Sequence, residues 1–559
     1  MIWVGTERDQ ATARLCYPAR ENWSDSEKFA ALSHCWGGSS PFMLTLENHD
    51  RLLDGINLEL LPKTFRDAIK ITKELGISYL WIDSLCIIQN SEEDWERECV
   101  KMVDVYANAA VTICASDSTD SSGGCFRVRD PLEYYPLHLI YDSDRILTIK
   151  MEDRDIDSIL NLEVNKSSLN KRGWTFQERA LSRRLLHFGK SVFWECNTIL
   201  ASEFHPVGQG YKRDPRFRFD GSRYTATEMR SRQNMSREWK TTGAFYTRGV
   251  RMKFSKPWRK WFKKNDEYRS PEEVEAIWRD SRFGFRGSLE TLLNLHGSIA
   301  TADDTVSRFE TNRRWFELVS MYSERHLTRP TDCLIAIAGI AQKISDGGGL
   351  QYRAGIWAEN SIFNLLWKAG NNSRARPTRY RAPSWSWASV DSNISHLLLP
   401  DTSQGTSQAE ASGQNPAHWR LRGIAAQVLT FNAFLEKAPT SLNSVVFDVY
   451  SISLSTMLEE VDIEKGGLYK KGNFHGQFFP DSQEDRDYAG SAYLALLCSY
   501  TTTKDYLGLC IHGLVLKSVS PPRLPENLQS HPTFERIGCF QILGNWAVFS
   551  GASKTVIVL

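Results

Sequence analysis

Between residues 29 and 116 short apolar runs alternate with helix-periodic stretches, and that order leaves few folds open. Phe29 to Trp36 is an apolar run closed by Gly37-Gly38 and reads as a buried strand. Leu61-Pro62 opens a helix, because proline's fixed φ and missing N–H suit a first turn. The apolar positions Phe65, Ala68, Ile69, Thr72 and Leu75 follow the helical period, and Gly76 stops it. Ile77 to Ile82 is a second strand. Ser91 with Asp94 reads as a capping box for a helix reaching Asn108, and Ala110 to Ser116 is a third strand. Strand–helix–strand–helix–strand with short joins predicts a parallel sheet covered on both faces.

Such sheets bind ligands beyond the carboxyl ends of their strands. That rule points to Ser33, His34, Cys35 and Trp36 after the first strand, and to Asp83, Ser84 and Cys86 after the second. No G-x-G-x-x-G and no P-loop follows a strand, so the common nucleotide fingerprints are absent. Adjacent strand residues face opposite ways, which argues against His34 activating Ser33 or Cys35 as a nucleophile. On the helix after Ser91, Trp95, Cys99, Met102, Tyr106 and Ala109 form the apolar face. Glu98 lies on its border. There a carboxylate is either a site acid with a raised pKa or a surface group paired with Lys101. Further on, Trp174, Gln177, Glu178 and Leu181 share a helix face. Glu178 with Arg172 or Arg179 is either a structural ion pair or part of a polar site. A hairpin is expected at Leu185–Phe188 and Ser191–Trp194, joined by Gly189-Lys190.

The rest of the chain is less regular. Residues 203–270 are polar and read as an insertion or linker. Within them, 248–264 holds eight Lys/Arg and no acid, with Phe254, Trp258, Trp261 and Phe262 at helical spacing. This is either a membrane-surface or partner-binding helix, or a surface helix docked by its rings. Helical patterns cover 310–324 and 331–345, and 400–416 is a Ser/Gln/Gly-rich linker. The β-like runs at Val445–Tyr450, Tyr493–Leu497, Tyr506–Ile511, Leu514–Leu516 and Thr555–Leu559 predict a sandwich or barrel. Eleven cysteines without a C-x-x-C pair argue against a disulfide framework and a zinc site, so a reducing, cytoplasmic setting is expected. No metal or cofactor is called for. A net charge of +1 leaves no footprint for nucleic acid, and no apolar run is long enough to cross a membrane. The N-terminus does not read as a secretory signal. With 18 Trp, 19 Tyr and 27 Phe, the rings imply well-filled cores or a flat ligand platform.

Five ordered motifs carry a resemblance. Ala31-Leu-Ser-His-Cys-Trp-Gly37, Leu61-Pro-Lys-Thr-Phe-Arg-Asp-Ala-Ile69, Tyr79-Leu-Trp-Ile-Asp-Ser-Leu-Cys-Ile-Ile-Gln89, Asp94-Trp-x-x-Glu98 with Met102 and Tyr106, and Arg172-Gly-Trp-Thr-Phe-Gln-Glu178 resemble the fungal heterokaryon incompatibility (HET) domain. Tyr322–Thr328, Asp332–Gly339, Gly355-x-Trp357, Leu366-Trp367 and Arg381–Ala388 resemble the region downstream of it in long HET proteins. His34 departs from the pattern, which more often has Tyr there. With the residue patterns above, the chain divides into a HET domain at 1–200 with an α/β core at about 29–180, a mixed, mainly helical middle at 201–400 and a β-rich domain at 401–559. It implies an α/β fold with a flavodoxin/TIR-like parallel sheet, and an effector of non-self recognition and programmed cell death. Some TIR domains hydrolyse NAD with a helix Glu following a Trp, which implies Glu98 as catalytic and NAD as substrate, with no cofactor required. Ser33, Trp36, Asp83, Cys86, Gln89 and Trp95 are then the ligand-contacting candidates, with Arg172, Trp174, Gln177 and Glu178 supporting them. Trp36 or Trp95 is placed to stack on a ring. The competing expectations are a non-enzymatic module and an enzyme of specialised metabolism on a HET scaffold. The module would self-associate through the HET domain and bind a protein partner through the C-terminal region.

Overall fold

Strands β1 (Ile2–Trp3), β2 (Arg14–Leu15), β3 (Phe29–Ser33), β4 (Tyr79–Ile82) and β5 (Val111–Cys114) begin the N-terminal sheet. β3 pairs in parallel with β4 and β5, Ala30 lying opposite Leu80 on one side and Val111 on the other. Helices α1 (His49–Asp54), α2 (Lys63–Glu74), α3 (Asp83–Cys86) and α4 (Glu92–Asn108) lie between these strands. The strand period of two sorts the residues. Ala30, Leu32, Leu80, Ile82 and Ile113 face Phe65, Ala68 and Ile69 of α2, while Ala31 and Trp81 face Met102 and Tyr106 of α4. Burying Phe65 completely contributes ~1.5–3 kcal/mol. The first strand is shorter than the apolar run implies: it ends at Ser33, and Gly37, at φ +83°, turns the chain where a Cβ would meet Asp120. Ser91 caps α4 by accepting from the Asp94 N–H at 3.2 Å, while Asp94 accepts from the Ile88 N–H at 2.8 Å.

The sheet is wider and less uniform than a purely parallel one. A hairpin, β6 (Leu137–Asp142) with β7 (Arg145–Ile149), stands apart from it. After α5 (Ile156–Leu160) and α6 (Trp174–Leu181) come β8 (Arg184–Phe188), β9 (Val192–Cys196), β10 (Ile199–Ser202) and β11 (Gln209–Gly210). β8 is parallel to β5, but the tight turn at Gly189-Lys190 returns the chain as antiparallel β9. At the other edge β1 is antiparallel to β4 and to β2. The nine-stranded order is β11-β10-β9-β8-β5-β3-β4-β1-β2, a parallel centre with antiparallel wings.

The computed structural model describes residues 1–5, 13–18, 27–38, 42–129, 137–142, 145–149, 156–196, 199–206, 208–210, 305–348, 350–371, 373–397, 419–424, 427–433, 449–464, 467–470, 473–502, 509–520, 528, 530–543, 549 and 552–559. All belong to one compact unit, Met1–Gly210 with Gly284–Leu559. The basic stretch 248–264 and the linker 400–416 lie outside the described residues.

Helices α7 (Thr305–Ser323) and α8 (Ile335–Gly348) carry the middle region. The second starts later than expected because Pro330–Cys333 forms a 3₁₀ turn. A small hairpin, β12 (Tyr352–Arg353) with β13 (Ile356–Trp357), and an antiparallel pair, β14 (Trp367–Ala369) with β15 (Ile394–His396), follow. The aromatic surplus is core here: Trp315, Trp357, Trp367, Trp385 and Trp387 are fully buried. The indoles of Trp315 and Trp387 both donate to the Gly355 carbonyl, at 3.0 and 2.8 Å, and Gly355, at φ +101°, has no room for a Cβ beside Trp387.

The C-terminal strands are β16 (Trp419–Ile424), β17 (Gln427–Ala433), β18 (Val449–Thr456), β19 (Leu458–Glu464), β20 (Gly467–Lys470), β21 (Asn473–Pro480), β22 (Gly490–Thr502), β23 (Leu509–Ser518), β24 (Thr533–Leu543) and β25 (Lys554–Val558). β22-β19-β20-β21-β24-β23 closes on itself through antiparallel pairs, giving a barrel filled by residues such as Leu468, Leu494, Ile511 and Phe540. Its outer residues, including Leu497, Leu514, Leu516 and Phe534, share one core with the tryptophans and with Phe176 and Ala180 of α6.

Gly339 of α8 packs directly against the N-terminal domain. A Cβ there would lie 2.3 Å from the Val103 side chain and 2.6 Å from Gln177. Gly339→Ala is expected to lose ~1–3 kcal/mol through overpacking, despite alanine's better helix propensity, and thermal unfolding will read it.

Candidate functional site

The parallel strands bring one polar cluster to their carboxyl ends. β3 delivers Ser33, and the turn after it delivers His34, Cys35 and Trp36. β4 delivers Asp83 as the first residue of α3. Tyr106 comes from the last turn of α4, Arg172 precedes α6, and Glu178 lies on it. The Ser33 hydroxyl donates to Glu178 Oε2 at 2.5 Å. The Tyr106 hydroxyl donates to the Leu32 carbonyl at 3.2 Å, beside Glu178. Arg172 Nη1 donates to the His34 carbonyl. Asp83 accepts the Trp36 indole N–H at 2.8 Å on Oδ2 and the Ser84 backbone N–H at 2.7 Å on Oδ1.

The two acids occupy different environments. Glu178 is 5% exposed; burial first, then the Asp83 charge, push its pKa up to about 7, against the pull of Ser33, Arg172 and Tyr106. Asp83 is half-buried at the rim, as are Trp36 and Arg172. His34 is buried edge-on against Phe65, and burial lowers its pKa to about 4, with Asp83 opposing. It is therefore neutral near pH 7, and its 3.7 Å approach to Asp83 Oδ1 is neither an ion pair nor a hydrogen bond. Both His34 ring nitrogens and the Ser84 hydroxyl are buried without a partner among the described residues, and both residues flank Asp83. Burial raises the Cys35 thiol pKa, so that cysteine is a poor nucleophile.

Other sequence candidates fall elsewhere. Gln89 closes the loop, its amide donating to the Asp83 and Ile87 carbonyls at 3.1 and 2.9 Å. Cys86 Sγ accepts from the Ile82 N–H at 3.4 Å and packs into both cores. Trp95 packs partly buried against the α4 face of the sheet. Trp174 and Gln177 point downstream: the indole donates to Asp332 at 3.1 Å, and Gln177 Oε1 accepts the Gly339 N–H at 2.8 Å. Glu98 pairs on its own helix with Lys101 at 2.8 Å and Arg97 at 3.3 Å, and none of the cluster's hydrogen bonds reaches it. Tyr106 joins the cluster although its spacing reads as core; the signal was its hydroxyl, which needs a partner once the ring is buried. Arg179 forms no pair with Glu178. It joins a second buried network, donating to Glu195 at 3.0 Å, which His187 also contacts at 2.9 Å.

An α/β domain with a partly closed polar site at the ends of its parallel strands is the class these features define. Residues 29–178 match the family model described as heterokaryon incompatibility protein (HET), a stretch opening at the first residue of β3 and closing at Glu178. The chain thus carries a HET domain over these residues, which links it in general terms to heterokaryon incompatibility. No curated protein and no solved structure matches it.

Proposed function

We propose that the protein is a cytoplasmic effector of heterokaryon incompatibility and cell death, and that its HET site hydrolyses NAD at the nicotinamide–ribose bond. The carrying observation is the pair of acids at the strand ends, Asp83 at the rim and Glu178 beneath it with its pKa raised to about 7. In this reading the C–N bond breaks with its electron pair leaving on nicotinamide. Water supplies the new C–O bond and releases a proton. Asp83, half-buried at the rim, stabilises the positive charge developing on the ribose. Trp36 offers a ring face to the base. The TIR-like fold that the family resemblance implies would carry the same chemistry but assign the acid to Glu98. The ion pairs of Glu98 favour Asp83 instead.

Nicotinamide release by the purified full chain tests this. Asp83→Asn is expected to lower release ~100-fold or more, and Glu98→Gln to leave most of it. The reverse ranking would return the acid's role to Glu98. No release from wild type, even after crosslinking into oligomers, would refute hydrolysis. A second reading, a non-enzymatic recognition and self-assembly module, is favoured by the closure of Ser33 and Glu178, at 3% and 5% exposure. It expects concentration-dependent association without turnover.

A further inference from the structure

We infer that Arg325 and His326, far outside the segment matched as HET, position the HET site. The loop after α7 lies against the turn that carries Arg172. The His326 N–H donates to the Lys171 carbonyl at 2.7 Å, and the Gly173 N–H donates back to the His326 carbonyl at 2.8 Å, a one-rung parallel bridge centred on Arg172. Gly173 permits the approach, since a Cβ there would lie 2.4 Å from the Leu327 side chain.

Arg325 holds the same turn from its other side. Its Nη2 donates to Asn170 Oδ1 at 2.8 Å, and its Nη1 makes longer contacts to Thr175 Oγ1 at 3.4 Å and the Arg172 carbonyl at 3.5 Å. The guanidinium lies over the Phe176 ring, 4.7 Å from its centroid. Burial lowers its pKa to about 9, so it stays charged at neutral pH. Arg179 opposes its charge through space, while Glu324 and Glu178 favour it. A half-buried cation is costly unless its donors are satisfied, and here its hydrogen bonds go to the segment between Asn170 and Thr175. From that segment Arg172 reaches the His34 carbonyl, and one turn and a half further on α6 presents Glu178 to Ser33. Arg325 thus touches neither Asp83 nor Glu178 but sets where Arg172 and Glu178 stand. It is a positioning residue.

The catalytic consequence rests on the NAD reading; the positional one does not, and the experiment separates them. Hydrogen exchange on the full chain is compared for wild type, Arg325→Met and Arg325→Lys. Losing a charge-assisted hydrogen bond implies exchange at least about tenfold faster in residues 171–181 of Arg325→Met. Barrel strands β19 to β24 should stay unchanged, and Arg325→Lys should restore much of the protection. In the same proteins, nicotinamide release should lose kcat with KM little changed. Exchange that quickens throughout the chain, or not at all within 171–181, would overturn the inference. The expected exchange pattern with no nicotinamide release from wild type would sustain the positioning role and sink the hydrolase reading.

Discussion

Arg536→Met will cost about 3–5 kcal/mol, the range for breaking a buried ion pair from one side. Arg536 of β24 is wholly buried 3.5 Å above the Trp367 ring. Its guanidinium donates to Asp481 at 2.8 and 3.1 Å and to the Leu365 and Trp367 carbonyls, each at 2.6 Å. Methionine fills the volume and leaves a wholly buried carboxylate with only Arg376, 3.7 Å away, and two carbonyls without these donors. Burial already pushes the Asp481 pKa up, so without Arg536 that acid will take a proton at higher pH. The double variant Arg536→Met with Asp481→Leu should recover at least half of the loss, because the charge is removed along with its partner. Equilibrium urea unfolding followed by tryptophan fluorescence reads both. A single variant within 1 kcal/mol of wild type would show that the network is not what fastens β24 to the tryptophan core.

That network joins residues 55 to 171 positions apart, which is why it is not legible in the chain. What was legible is local. Pro62, Gly76, Ser91 and Gly189-Lys190 punctuate elements that form where expected, because a missing N–H, a positive φ, a side-chain cap and a tight turn act within a few residues. The strand-end rule likewise found Ser33, Trp36 and Asp83. The antiparallel wing of β1 and β2 was missed, since a two-residue strand has no period to detect. Tyr506–Ile511 and Leu514–Leu516 read as separate runs, yet Leu509–Ser518 is a single strand, because Gly513 packs against the Ala495 carbonyl instead of breaking it. Helix α6 misled differently. Trp174, Gln177 and Glu178 share one face of the wheel, but α6 is buried nearly all round, so the first two bind the downstream region and only Glu178 faces the site. Position on a wheel left Glu98 open between two readings, and Lys101, three residues away, pairs with it.

Glu178 should make the folded protein lose stability as pH rises from about 4.5 to about 7. Its folded pKa is raised, so across that window the folded state holds a proton that the unfolded chain has released, and the slope of stability against pH is negative. Below the lower value both states are protonated, and above the upper one both are ionised, so the contribution is flat outside the window. A rise from 4.5 to about 7 corresponds to about 3 kcal/mol. Glu178→Gln keeps a neutral acceptor for Ser33 and cannot ionise. Its stability should match wild type near pH 4.5 and exceed it at pH 8 by that amount, with the difference between the two proteins cancelling the other titrating groups. Urea midpoints measured across the range will show it, and parallel curves would place Glu178's titration outside the window. The physical cause is burial first and the neighbour second: the Glu178 carboxyl lies out of water, and Asp83 already brings one negative charge to the strand ends, so a second is held off until the proton leaves near neutrality. A variant locked in the neutral form therefore also asks whether the site works with one charge or with two. Nicotinamide release by Glu178→Gln at pH 6 should stay near wild type if the protonated form is the working one, and should collapse if Glu178 must ionise to act.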